Sequence, residues 1–216
     1  MPRLPLFPLN TVLFPNATLP LHIFEERYKL MIGRCIKERT PFGIVLIRSG
    51  EEVGGDAKPC DVGCTARVAR VQRLDDGKLN LICFGEQRFR IDALDDSEAY
   101  LQGDVTFVDS IGSSTPEAGE QAGIVAGLFA EQYRLVMAVT GQWVREISLP
   151  EAHGALADFV AAHIDAPADN KQELLETLSV PGRLRREAGI LGDSIRALTV
   201  RWEERRKERL AGAALN

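Results

Sequence analysis

Seven side chains in this chain are the natural candidates for metal ligation or nucleophilic chemistry: His22, His153 and His163, with Cys35, Cys60, Cys64 and Cys83. Cys60 and Cys64 are too widely spaced for the usual zinc-ligand pair, and no second Cys/His pair matches them. Cys35 and Cys83 sit in apolar patterns. The four thiols read as three buried groups and one on a loop. His153 and His163 fall ten residues apart on one predicted helix, about 15 Å along its axis and too far to share a metal. There is no HExxH and no G-x-S-x-G elbow. The one Gly-Lys pair, Gly77-Lys78, runs into Leu79 and not into the Ser or Thr of a phosphate-binding loop. Ser110, Ser113 and Ser114 cluster in a stretch with no rigid frame to position a base. No catalytic residue, metal site or cofactor is expected, and the chain reads as not an enzyme.

The elements that would position any site begin with Leu4 to Tyr28. This stretch is apolar yet interrupted by Pro5, Pro8, Pro15 and Pro20. Proline removes a donor and fixes φ, so neither a long helix nor a fully paired central strand can form there. Short extended pieces are expected, with corners at Asn10 and at Asn16-Ala17. From Glu25 the spacing turns helical: Tyr28, Met31, Ile32, Cys35 and Ile36 share a face. Acidic residues open this helix, Lys37 and Arg39 close it, and Pro41 stops it. Phe42–Ile47 follows as a buried strand, then a flexible loop over 49–61 containing Gly54-Gly55.

Val62–Leu74 and Leu79–Ile91 flank Asp75-Asp76-Gly77-Lys78. Asp-Gly between two β-type runs predicts a hairpin with positive φ at both turn residues. A switch in apolar parity predicts a bulge near Ala69-Arg70. Leu79–Phe84 is apolar on both faces and reads as central. Gly85 lets it bend. Tyr100–Val108 supplies one more strand.

Residues 110–118 are small, polar and proline-containing, and read as a linker. They separate a domain over 1–109 from a helical domain over 119–216. Helices are expected over 120–140, from Pro150 to His163, over 170–178, and from about Arg183 onward. In the last, Leu184, Ala188, Leu191, Ile195, Leu198 and Trp202 repeat at heptad-like steps, suited to packing along another helix or to oligomerisation. That helix carries net +4 to Arg209, leaving −9 elsewhere in a chain of net −5. The overall charge argues against general nucleic-acid binding. Prolines interrupt any apolar core of a leader at the N-terminus, and no apolar run approaches the roughly 20 residues of a membrane span. A cytoplasmic location without membrane contact or disulfides is expected.

Several groups carry two readings. His22 either lines a groove beside Phe24 or is an outward strand residue with Leu21 and Ile23 turned in. Glu25 and Arg27 either contact a ligand or form a salt bridge at the helix start. Arg67, Arg70, Arg73, Arg88 and Arg90 either make a basic stripe on the hairpin or solubilise its exposed side.

The segments LPLFPLNTVLFP, LPLHIFEERYKLMI, FGIVLI and VGCTARVARVQRLDDGKLNLICFGEQRFRI together resemble the N-terminal substrate-recognition domain of Lon-type ATP-dependent proteases. Glu26 stands where that family usually places proline. Cys64 replaces a small or hydroxyl residue. The resemblance implies an α+β fold: a β-rich twisted pseudo-barrel holding one helix, then an α-helical bundle. It also implies binding of unfolded or extended polypeptide, without the ATPase or peptidase parts. Phe7, Phe14, His22, Phe24 and Tyr28 are the candidate lining of such a site. The alternatives are a hydrolase of another type or an oligomerising scaffold. The partner's identity and the oligomeric state are not legible.

Overall fold

The computed structural model describes residues 2–54, 57–142 and 147–213, without the side chains of 208–213. Gly55 of the expected flexible loop lies outside them, as does the side chain of Arg209. The chain divides into two compact units: Met1–Ser110 with Pro167–Leu178, and Ile111–Ala166 with Ser179–Asn216. The expectation of two contiguous domains is thus corrected at 167–178, which joins the strand unit.

The first unit is built from β1 (Arg3–Leu9), β2 (Thr18–Ile23), α1 (Glu26–Glu38), β3 (Phe42–Ser49), β4 (Lys58–Arg73), β5 (Leu79–Asp95) and β6 (Gln102–Val108). The sheet order is β2-β5-β4-β3-β1-β6, and β6 also pairs with β5. Pairings therefore close a ring of five strands, with β2 attached to β5 outside it. β1 tolerates Pro5 and Pro8 because its two halves have different partners. Arg3–Pro5 runs antiparallel to β6, and Leu6–Leu9 parallel to β3. Alternation along β1 sends Phe7 and Leu9 to the core around α1, and Leu4 and Leu6 to a second core with Val45, Phe89 and Val105.

Local chemistry sets the corners. Asn16 adopts the left-handed region at φ 64°, which asparagine tolerates better than most residues. α1 ends on Arg39, also left-handed, one residue before Thr40 donates to the Cys35 carbonyl. In the hairpin, among its turn residues only Gly77 has positive φ, at 77°. Gly77 donates to the Leu74 carbonyl and Leu74 to that of Lys78. This is a three-residue loop with a glycine bulge, which corrects the expected two-residue turn. The register shift between Val68 and Arg70 is the expected bulge. β5 lies between β2 and β4 as expected, but its second face is half-exposed at Ile82 and Phe84.

α4 (Ala168–Glu176) belongs to this unit because its end captures polar groups of the sheet. Gln172 Nε2 donates to the Val62 carbonyl at 2.9 Å, and Arg88 Nε to that of Leu175 at 2.9 Å.

The second unit contains α2 (Pro116–Thr140), α3 (His153–His163) and α5 (Val180–Ala213). α2 begins inside the expected linker: the Thr115 hydroxyl accepts from the Ala118 N–H, and Pro116 occupies the first turn, where its missing donor costs nothing. Pro150 does not open α3, which starts at His153. Ala122, Val125 and Phe129 of α2 are buried, and α2 packs along α5. Leu184 and Leu191 of the heptad-like seam are buried. By length and composition, α2 is also long and apolar enough to cross a membrane, with a window of mean hydropathy 1.3. Beside Leu191, Gln132 of α2 donates to Ser194 Oγ of α5 at 2.8 Å, so this helix presents polar as well as apolar contacts to its neighbour.

Candidate functional site

A groove of about 430 Å³ opens in the strand unit. The end of β1 supplies Phe7 and Leu9, followed by Asn10 and Thr11. β2 supplies Leu19 to Ile23, with Phe24 after it. The start of α1 supplies Glu25 and Tyr28, and the loop after β3 supplies Glu52 and Val53. Phe7 and Tyr28 stack at 4.0 Å between ring centroids and form a buried floor. Phe24 stands at the rim, 46% exposed. Of the five expected lining residues, Phe7, His22, Phe24 and Tyr28 come together here. Phe14 does not: it is fully buried at the corner after β1.

The two readings of His22 do not exclude each other. This histidine is an exposed strand residue, with Ile23 buried and Leu21 half-buried, and it also lines the groove. Its Nδ1 lies 2.8 Å from Asn80 Oδ1. Glu25 and Arg27 form the salt bridge, at 2.9 Å and with both side chains largely covered. Arg27 also lies over the Tyr28 ring at 4.4 Å. Burial pushes the Tyr28 hydroxyl above its ordinary pKa, Arg27 opposes this, and Glu25 and Glu52 reinforce it. Glu52 was not foreseen. It accepts from both the backbone N–H and the side-chain amide of Asn10, at 3.1 and 3.0 Å, and so ties the loop to the end of β1.

The other candidates disperse. Arg67 is paired with Glu86 at 2.6 Å and donates to the Arg39 carbonyl. Arg90 meets Asp92 at 3.4 Å. Arg88 is buried, which corrects its place in an exposed stripe. All four cysteines are buried and outside any disulfide, so the expected loop thiol is corrected too: Cys60 lies inside β4. Burial raises the Cys35, Cys60 and Cys83 thiols, the last to about 12, which is the inert regime. His153 Nδ1 contacts the Ser113 carbonyl at 2.9 Å. His163 Nδ1 contacts that of Phe159 at 2.7 Å. Among the described residues no three His, Cys, Asp or Glu side chains are grouped to hold a metal. The groove offers apolar surface, aromatic faces and carboxylates, the chemistry of recognition.

Known proteins share this architecture. The Lon protease of Paraburkholderia phytofirmans is 30% identical over 196 residues, covering 90% of this chain and 24% of that protein. Lon protease 2 of Myxococcus xanthus is 30% identical over 188 residues, covering 84% and 22%. The chain thus spans about a quarter of the length of these relatives. The crystal structure of a Lon N-terminal domain protein from Xanthomonas campestris matches with a TM-score of 0.61 and 26% identity, covering 86% of this chain and 96% of that one. The N-terminal domain of the Mycobacterium avium complex Lon protease shares the fold, with a TM-score of 0.63 at 22% identity, covering 89% and 99%. The family model of the ATP-dependent protease La (LON) substrate-binding domain matches residues 3–193, and the chain belongs to that family.

Proposed function

We propose that this chain is a noncatalytic, cytoplasmic polypeptide-binding module, and that the groove between β1, β2 and α1 receives unfolded or extended protein. The observation that carries this reading is the gathering of Phe7, His22, Phe24 and Tyr28 along one apolar groove in a member of a substrate-binding family. A floor of stacked aromatic rings beneath a half-exposed phenylalanine suits apolar side chains that a folded partner would keep buried. Among the described residues the groove is lined by no serine or cysteine, and His22 is engaged by Asn80, so the lining favours binding over hydrolysis.

The test is fluorescence anisotropy with labelled, reduced and carboxymethylated lactalbumin as a permanently unfolded protein. Saturable binding is expected, displaced by the unlabelled unfolded protein and not by its native form. Phe24→Ala, at a rim position with little to lose in stability, should weaken it several-fold. Absence of saturable binding into the high micromolar range would overturn the reading.

A further inference from the structure

One wall of the groove is an unfinished sheet edge. β2 stands at the end of the strand order and pairs, among the described strands, only with β5. Every residue from Leu19 to Phe24 lines the groove. Successive strand side chains point to opposite faces, so a cavity touching all of them runs along the edge of the strand and not over one face.

The direction of the backbone groups follows from the ladder. Gly85 donates its N–H to the Ala17 carbonyl at 2.8 Å. From there the register runs Thr18↔Phe84 to Ile23↔Leu79 without a shift. Antiparallel ladders alternate hydrogen-bonded with non-hydrogen-bonded pairs. Leu19, Leu21 and Ile23 therefore turn their N–H and C=O toward β5, and Thr18, Pro20 and His22 turn theirs toward the open edge. Pro20 fits this parity, because it has no N–H to withhold from β5. The open edge thus offers donor and acceptor at His22, an acceptor alone at Pro20, and both again at Thr18. The missing donor interrupts the template that an exposed edge would present to a second copy of the chain. Charge narrows the occupant further. Among the described residues the groove is lined by Glu25, which Arg27 already pairs, and by Glu52, whose carboxylate meets the neutral Asn10 amides, and by no Lys or Arg. On the far side of Tyr28, Asp96 and Glu98 face a depression shared with Arg27.

We infer, building on the polypeptide-binding reading, that the groove takes an extended segment by strand addition to β2, with His22 exchanging both backbone hydrogen bonds, and that it selects β-type apolar segments flanked by Lys or Arg. The bound segment then alternates, with one set of side chains toward the Phe7–Tyr28 floor and the other toward solvent.

The probe is a labelled peptide alternating valine and threonine between terminal lysines, compared with two isomers N-methylated on opposite sets of alternate amides. Strand addition uses one set only. One isomer should bind at least about tenfold more weakly, the other like the parent. Exchanging the lysines for glutamates should weaken binding, by a margin that shrinks with added salt. His22→Ala removes a lining ring but keeps the backbone donor, so His22→Pro should bind at least about tenfold more weakly than His22→Ala. Should His22→Pro fail to fold, the methylated isomers decide alone. Equal binding of both isomers overturns strand addition, as does binding of unfolded lactalbumin with none of the peptides; polypeptide binding then stands. Binding of neither peptide nor unfolded lactalbumin overturns both.

Discussion

Arg88 Nε donates to the carbonyl oxygen of Leu175 at 2.9 Å, joining β5 to the last turn of α4 across 87 residues of sequence. The last carbonyls of a helix lack internal partners and carry the negative end of its dipole, so a buried guanidinium is well matched to them. Arg88→Met keeps the side-chain volume and removes the donor. The expected cost is roughly 1.5–3 kcal/mol, the range for a hydrogen bond to a charged group. Because α4 is the element tied down, its amides should exchange faster with solvent deuterium while those of β3 stay protected. Unchanged protection of α4 would show that apolar packing of Leu174 and Leu175 holds it without the arginine.

In the helical unit, Arg183 is fully buried and lies 3.2 Å from Asp158, which is nearly so, with buried Glu187 one turn further along α5. Removing one member of a buried charged group takes away a partner of the others in low dielectric. Arg183→Met should destabilise this unit by roughly 3–5 kcal/mol. Adding Asp158→Leu to that variant removes the carboxylate that faced Arg183 and should recover part of the loss. Thermal melts followed by helical circular dichroism measure both. A double variant less stable than Arg183→Met would contradict the assignment.

Cys83 ties stability to alkaline pH. Its thiol is raised by burial from an ordinary value of 9.0 to about 12. Below pH 9 it is protonated in both folded and unfolded chains and contributes no pH dependence. Between 9 and 12 only the unfolded chain releases the proton, so stability falls as pH rises through that window. Cys83→Val should flatten the alkaline limb of a stability profile taken by urea unfolding. The native thiol should also resist iodoacetamide until the chain unfolds. Rapid alkylation of native protein at pH 8 would contradict this.

What was legible in the sequence was what short-range chemistry decides. The hairpin, its bulge, α1 and the proline-limited pairing of β1 follow from neighbours within a few residues. The groove was legible in large part because Phe7, His22, Phe24 and Tyr28 come from one contiguous run of strand, turn, strand and helix. Glu52 was not, since nothing local says that the loop after β3 returns to Asn10. Arg88 was misplaced for the same reason: alternation puts it on the hairpin, and only the distant α4 makes its position buried. The start of α2 failed differently. Thr115-Pro116-Glu117 has the chemistry of a helix start, but sits in a stretch whose small and polar composition reads as linker. Phe14 looked like its aromatic neighbours in the sequence, but its carbonyl is pressed against Gly85 and its ring is sealed inside.

That last contact yields a paired prediction. A Cβ at Gly85 would lie 2.2 Å from the Phe14 carbonyl oxygen. The obstacle is backbone, held by Asn16 N–H to the Gly85 carbonyl and Gly85 N–H to the Ala17 carbonyl, both at 2.8 Å. Gly85→Ala must push the β1–β2 corner away from β5, at a cost of about 1–3 kcal/mol or more. It should also weaken peptide binding, because β2 and its edge shift with the corner. Gly123 is the contrasting case: it sits inside α2, and a Cβ there meets no atom within 4 Å. Gly123→Ala adds the same methyl group, reduces the entropy of the unfolded chain and should stabilise by about 0.5–1 kcal/mol. Urea unfolding of the two variants should therefore move the midpoint in opposite directions. A neutral Gly85→Ala would mean that the corner is loose enough to absorb a methyl group, and the rigid edge that strand addition requires would lose its support.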